Sequence, residues 1–336
     1  VSDVVSNAFT HLDRMSDERG LFEHAEGVDR REAGGYCTDD NARLLAVASR
    51  EVDAGRAGHL SRVALRFVRD AQDDHGRFHN RMSTDGVWED EATNEDCWGR
   101  ALWGLGTAAA HHGNPSVRRW AHRSLLASLK VRAPWSRATA FATIGVAEVA
   151  EVDGCTGAVR SFLIDSVVRV GQVPSGSWQW PEPQLRYANA TLAEALIAAA
   201  VAIKSPSDLD RGLRMLDWLL NMETESGHLS VVGSLGRVPG DRPPQFDQQP
   251  IEVAAMADAC WRAHEATGDP EWIRGIVASA KWFLGENDVG LQMFDEESGG
   301  SYDGLHRERV NLNEGAESTL ALVSTFQRAV RFAGIL

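Results

Sequence analysis

The chain has 336 residues with 48 acidic against 34 basic side chains, a formal charge of −14 and a pI near 5.2. That balance excludes nucleic acid or an anionic membrane as the main partner, because both require a basic footprint. Hydrophobic residues make up 43% of the chain, enough for one closed core that uses residues 1–336 as a single domain.

Periodicity and end signals predict twelve helices. The first covers residues 3–15, with Val4, Val5, Ala8, Phe9 and Leu12 on one stripe. Thr38 is a fitting N-cap for a second, running to about Val52. Further helices are expected over residues 60–72, 95–111, from Asn114-Pro115 onward, 136–149, 156–170, 186–203, 209–222, 249–264, 269–285 and 314–332. Short hairpins are expected in the loops, around residues 76–88 or 229–232. No apolar stretch reaches membrane-spanning length; the best, residues 191–203, is too short. The N-terminus lacks a basic-then-apolar leader, so a soluble, cytoplasmic protein is expected. The four cysteines, Cys37, Cys97, Cys155 and Cys260, form no CxxC and read as small buried hydrophobes in a reducing compartment.

The helices alternate in character. Even-numbered ones are almost wholly small or apolar, as in Leu44-Leu45-Ala46-Val47-Ala48 and Val253-Ala254-Ala255-Met256. A helix apolar on all sides is buried on all sides. Odd-numbered ones carry a charged face. The odd-to-even connections are long in five of six units, and the even helices open on acids or amides: Asp39-Asp40-Asn41, Asn94-Glu95-Asp96, Glu182 with Gln184, Gln249 with Glu252, and Asn313-Glu314 with Glu317. Repetition of this kind predicts an all-α toroid of six helical hairpins, with long loops and acidic helix starts on one rim. The unit starting at Ser136 has neither the acid nor the long loop, which places the working site away from it.

The twelve alternating helices, with the Gly-aromatic turns Gly20-Leu21-Phe22, Gly76-Arg77-Phe78 and Gly176-Ser177-Trp178, resemble the (α/α)6-barrel, or six-hairpin, glycosidase superfamily. The runs Gly20-Leu21-Phe22-Glu23-His24-Ala25 and Gly35-Tyr36-Cys37-Thr38-Asp39-Asp40-Asn41-Ala42-Arg43 are similar to bacterial proteins of this fold found beside or fused to glycosyltransferases and mannoside phosphorylases. The resemblance implies a carbohydrate substrate and admits a glycosyltransferase as partner.

Inverting glycoside hydrolysis needs two carboxyl groups across the scissile bond, about 6.5–9.5 Å apart, one of them protonated near neutral pH. Candidates are Asp39, Asp40, Glu95, Asp96, Glu252 and Glu314. A helix N-terminus favours the charged form, so Asp40 or Asp96 suits a base and Glu252 or Glu314 an acid. Arg43 and Arg100 follow their acid pairs and are expected to lock them by ion pairing. Candidate sugar contacts are Tyr36, His24, His79, Glu182, Tyr187 and Gln249, together with the Trp faces of Trp88, Trp98, Trp135, Trp178 and Trp180, the best placed being Trp178 and Trp180 beside Glu182; Trp103, inside the fourth helix, reads as core. Capping alone would also place acids at these positions. An epimerase or lyase using loop His or Tyr, and a non-catalytic glycan-binding module, are the alternatives. No zinc-helix, EF-hand, Walker or dinucleotide motif is present, so neither metal nor cofactor is expected.

Overall fold

The computed structural model describes residues 2–51 and 55–334. Among these, twelve α-helices form two concentric layers. The inner layer is α2 (Thr38–Ser49), α4 (Asp96–His111), α6 (Ser136–Asp153), α8 (Ala190–Ile203), α10 (Pro250–Thr267) and α12 (Ala316–Ala329). Each packs on the next, and α12 packs back on α2, so the ring is closed. Outside it lie α1 (Ser2–Arg14), α3 (Arg56–Asp70), α5 (Pro115–Ser128), α7 (Gly157–Arg169), α9 (Pro206–Glu223) and α11 (Glu271–Phe283).

The inner helices are small-residue helices because a six-membered ring leaves no room for large ones on every side. Every residue of α8 from Ala190 to Ala200 is buried. On α4, a Cβ at Gly104 would strike the Ala42 carbonyl of α2, and one at Gly106 the Gly145 carbonyl of α6. A Cβ at Gly145 would in turn overlap Leu102 O. Glycine here permits backbone-to-backbone approach, not flexibility.

Ends follow local chemistry. Asn114 caps α5, its Oδ1 accepting from Ser116 N at 2.8 Å, with Pro115 at the first turn. Several ends depart from the sequence expectation by two to four residues, among them the starts of α3, α9 and α12 and the end of α6; two have a clear local cause. Cys37, not Thr38, is the N-cap of α2; its Sγ accepts from Asp40 N, while Thr38 Oγ1 donates to His79 O at 2.6 Å. The α2 helix ends at Ser49, and the expected end at Val52 lies outside the described residues. The eighth helix starts at Ala190 rather than Arg186, because Ala188 is left-handed at φ 45°. The loops add three two-stranded ribbons: Ala25–Glu26 with Asp29–Arg30, Tyr36–Cys37 with Arg81–Met82, and Gly304–Leu305 with Val310–Asn311. No strand forms at residues 229–232, which are buried among other loops. No helix of the described residues is long and apolar enough to cross a membrane.

The close α4–α6 contact generates a prediction. Gly→Ala inside an exposed helix stabilises by about 1 kcal/mol. Gly145→Ala should instead destabilise by about 1–3 kcal/mol through overpacking, read as a lower urea midpoint at unchanged slope.

Candidate active site

The long loops and the inner-helix N-termini meet at one rim and form a bowl. Its walls are tied by arginines that reach from one inner helix to the next. Arg43 of α2 donates to Asp40 Oδ1 at 2.5 Å and to Glu317 Oε2 of α12 at 2.5 Å. Arg100 of α4 pairs with Asp39 of α2 at 3.1 Å and with Asp96 at 3.7 Å. Arg137 of α6 holds both oxygens of Glu182 at 2.8 Å, and donates to Asn189 Oδ1 at 3.1 Å and to Tyr187 O at 2.5 Å. Its guanidinium also lies over the Tyr187 ring, 4.8 Å from the centroid.

The same chain of contacts runs on through two acids. Tyr187 Oη donates to Asp96 Oδ2 at 2.6 Å. Glu252, at the first turn of α10, accepts from Ala188 N, from Asn189 N at 3.2 Å and from Asn189 Nδ2 at 3.0 Å. The left-handed turn at Ala188 points its N–H at that carboxyl. Asp96 and Glu252 thus stand on α4 and α10, three places apart in a six-helix ring, joined through the segment of residues 187–189.

Their environments differ. Asp96 is part-exposed, 24% for its side chain. Glu252 is buried, and burial pushes its carboxyl up to about 7 against the lowering effect of the Asn189 and Ala188 N–H groups and Arg137. Burial likewise raises Asp40 to about 6 although Arg43 opposes it. Burial and the neighbouring Asp96 push the Tyr187 hydroxyl well above its ordinary value.

Three cavities open here. One, with about 1450 Å³ of empty space including its open mouth, is lined by Asp39, Glu95, Asp96, Trp135, Arg137, Glu182 and Tyr187 among others. A second, about 750 Å³, shares Tyr187 and is lined by Gln249, Glu252 and Leu235. The third runs down the barrel axis beneath Arg43, Ala188 and Glu317. None of the described histidines lines any of the three.

Not every sequence candidate arrives at the bowl. Asp39, Glu95, Asp96, Glu182, Tyr187, Gln249 and Glu252 line its cavities, and Arg43 lines the axial one. Asp40 is 2% exposed beneath Arg43. Glu314 precedes α12 and turns outward, where Ser298 Oγ donates to it at 2.5 Å and His11 lies 3.5 Å away. The α12 acid that faces the bowl is Glu317, one turn later. Trp98 and Trp180 are fully buried; Trp180 stacks on Trp218. Trp178 donates to Glu182 O at 2.8 Å and packs edge-on against Trp218. Tyr36 is buried, its hydroxyl donating to Asp17 at 2.6 Å. His79 is held by Asp90 O at 2.7 Å and stacks on Trp88, and His24 sits half-exposed beside Glu23. The Ser136 unit, expected to stand away from the site, lines the larger cavity with Trp135, Ser136 and Arg137. A cation at a helix start runs against the helix dipole, so nothing in the local sequence advertised it.

No family model and no curated protein sequence matches the chain. Solved structures do. A cellobiose 2-epimerase from Spirochaeta thermophila superposes with a TM-score of 0.68 at 12% identity, covering 98% of this chain and 97% of that one. An α-1,6-mannanase of the GH76 group from Salegentibacter gives 0.66 at 12% identity, with 98% of both chains covered. The chain is an (α/α)6 barrel. An endoglucanase from Clostridium thermocellum, matched at TM-score 0.62 and 10% identity over 99% of this chain and 71% of its own, shares that barrel.

The buried ion pair makes a stability prediction. Removing one partner of such a pair strands the other charge and costs about 3–5 kcal/mol. Arg43→Ala should therefore destabilise strongly at pH 8. With a raised folded value, Asp40 disfavours folding as pH climbs past its ordinary range toward about 6; without Arg43 its value rises further. Urea unfolding should accordingly show a smaller loss at pH 5, where Asp40 is protonated, than at pH 8.

Proposed function

We propose that this barrel, acting as one domain, is an inverting glycoside hydrolase acting on a neutral oligo- or polysaccharide. The observation that carries the reading is the pairing of Asp96 with Glu252: two carboxyl groups on facing inner helices, one reachable by water and the other buried with its proton affinity raised. Residues 187–188 link the two, the Tyr187 hydroxyl bonding Asp96 and the Ala188 N–H bonding Glu252. Inversion requires the two carboxyls to stand about 6.5–9.5 Å apart in the substrate complex, against ~5–5.5 Å in retaining enzymes. The carbohydrate activities named for structures sharing the barrel support the substrate class.

In this mechanism Glu252 donates its proton to the glycosidic oxygen as the bond from that oxygen to the anomeric carbon breaks. A water held by Asp96 attacks the same carbon from the opposite face, and Asp96 takes the water's proton. Both contacts to Asp96, from Tyr187 and Arg100, use Oδ2, which leaves Oδ1 for the water. Tyr187 orients Asp96. With its own proton held more tightly than usual, it is a donor and not a base. Trp135, 58% exposed at the mouth of the larger cavity, offers an aromatic face to a sugar. A sugar epimerase would need a base aimed at a carbon-bound proton; the carboxylate-lined cavities, free of the described histidines, favour hydrolysis.

The test is sugar release from a panel of glucans, mannans and their oligosaccharides. Asp96→Asn and Glu252→Gln should each lower kcat/KM by at least about 10²-fold, the lower range of general acid–base contributions, with unchanged folding by circular dichroism. Wild-type kcat/KM should fall as pH rises through about 7, where Glu252 loses the proton it donates. No release from any substrate, or variants equal to wild type, would refute the assignment.

A further inference from the structure

The barrel has a second opening, at the end away from the bowl. There the C-terminal ends of the inner helices surround a cavity with about 2100 Å³ of empty space, its open mouth included. Its charged groups divide into two sides. On the α6 side Arg262 pairs with Glu148 at 3.0 Å and with Glu151 at 3.1 Å. His111 lies 3.6 Å from Glu148. Acids crowd this side: burial first, then Glu148 and Glu265, raise the proton affinity of Glu151 although Arg262 opposes them. On the α2–α12 side three arginines converge and carboxylates are few. Arg50, just after α2, and Arg328 of α12 share Asp258, at 3.4 Å and 2.6 Å. Glu194 near Asp258 is pushed up to about 7 by burial and by Asp258 itself, so it supplies only part of a counter-charge at neutral pH. Glu51 lines the cavity here and accepts from Gln327 Nε2 at 2.5 Å. Arg331 forms no ion pair among the described residues; its guanidinium lies 4.7 Å from the centroid of the Trp261 ring, with that of Arg328 at 5.4 Å.

Donors on this side lack acceptors. The Arg50 side chain lines the cavity and is only 9% exposed, yet its Nη2 has no hydrogen-bond partner, an unusual condition for a buried polar group. Arg328 spends its Nε on Asp258, and neither of its Nη groups makes a hydrogen bond among the described residues. Counter-charge is short as well. Burial, and then repulsion from Arg50, hold Arg328 below the usual arginine range, and Asp258 does not make up the difference. The negative dipole ends of the inner helices draw cations to this end of the barrel. That accounts for the arginines being here and not for their unused N–H groups. A guanidinium presents its donors as a planar fork that matches the oxygens of carboxylate and phosphate.

We infer that the lower cavity binds a phosphate group, free or carried by a small molecule, between Arg50, Arg328 and Arg331. The anion takes up the unused N–H groups and bridges α2 to α12, the seam at which the ring closes. It therefore stabilises the barrel from the end remote from the bowl. The site needs no catalysis and stands whether or not the protein hydrolyses sugars.

The experiment is calorimetric titration of the whole protein with inorganic phosphate and with glycerol 3-phosphate, chloride holding the ionic strength fixed. Saturable binding of one anion per chain is expected, with a matching rise in Tm. Tighter binding of inorganic phosphate marks the free ion as the ligand; tighter binding of the ester marks a phosphorylated small molecule. Arg331 is exposed, so Arg331→Ala should leave the fold intact by circular dichroism. It should weaken the tighter-bound probe by about tenfold, the weight of one hydrogen-bonded charge. Arg160→Ala, which removes an exposed cation from α7, should leave binding unchanged. No saturable binding of either probe would overturn the inference. So would a Kd that Arg331→Ala does not move, or that Arg160→Ala moves equally.

Discussion

The bowl depends on arginines that bridge between neighbouring inner helices. An inner helix start presents N–H groups and a positive dipole end, and five of six starts carry acids or amides there. Those acids could merely cap. What converts them into a fixed arrangement is a cation placed within reach on an adjacent helix: Arg43 from α2 to α12, Arg100 from α4 to α2, Arg137 from α6 to the segment before α8. Each guanidinium is at most 8% exposed, so the pairs form in a medium where a missing partner is costly. The same bridges that close the ring therefore fix the rotamers of the carboxyls facing the cavity.

A second set of arginines does the corresponding work at the barrel's lower end. Arg50 directly follows the last residue of α2, and Arg262 and Arg328 lie in the C-terminal halves of α10 and α12, where cations complement the helix dipoles; they meet Asp258, Glu148 and Glu194. Between the two belts the inner helices supply little but alanine, glycine and a few larger apolar residues. The axial space is consequently narrow, apolar in its middle and polar at both ends.

The architecture was legible because it rests on composition repeated along the chain. All-round apolar helices can only be inner ones, and long odd-to-even loops can only gather on one rim. The site was partly legible. Glu252 and Asp96 are first-turn acids, visible as such. Glu314 looks like the acid that opens α12, but the helix starts two residues later, and it is Glu317 that lines the axial cavity. Trp180 sits in a loop next to Glu182 and looks like a sugar platform, yet it faces Trp218 inside the wall. Arg137 was invisible, because its role depends on Glu182 and Asn189, which are 45 and 52 residues away. Local pattern reports which helix end a residue occupies; it does not report which neighbour across the ring completes it.

The central claim is that Asp96 and Glu252 act on opposite sides of one glycosidic bond with water between base and sugar. The most direct measurement is proton NMR of the first sugar released from a substrate of known anomeric configuration, recorded before mutarotation. The account predicts the inverted anomer. Release of the retained anomer, or a change of configuration at the carbon next to the anomeric centre without cleavage, would contradict it.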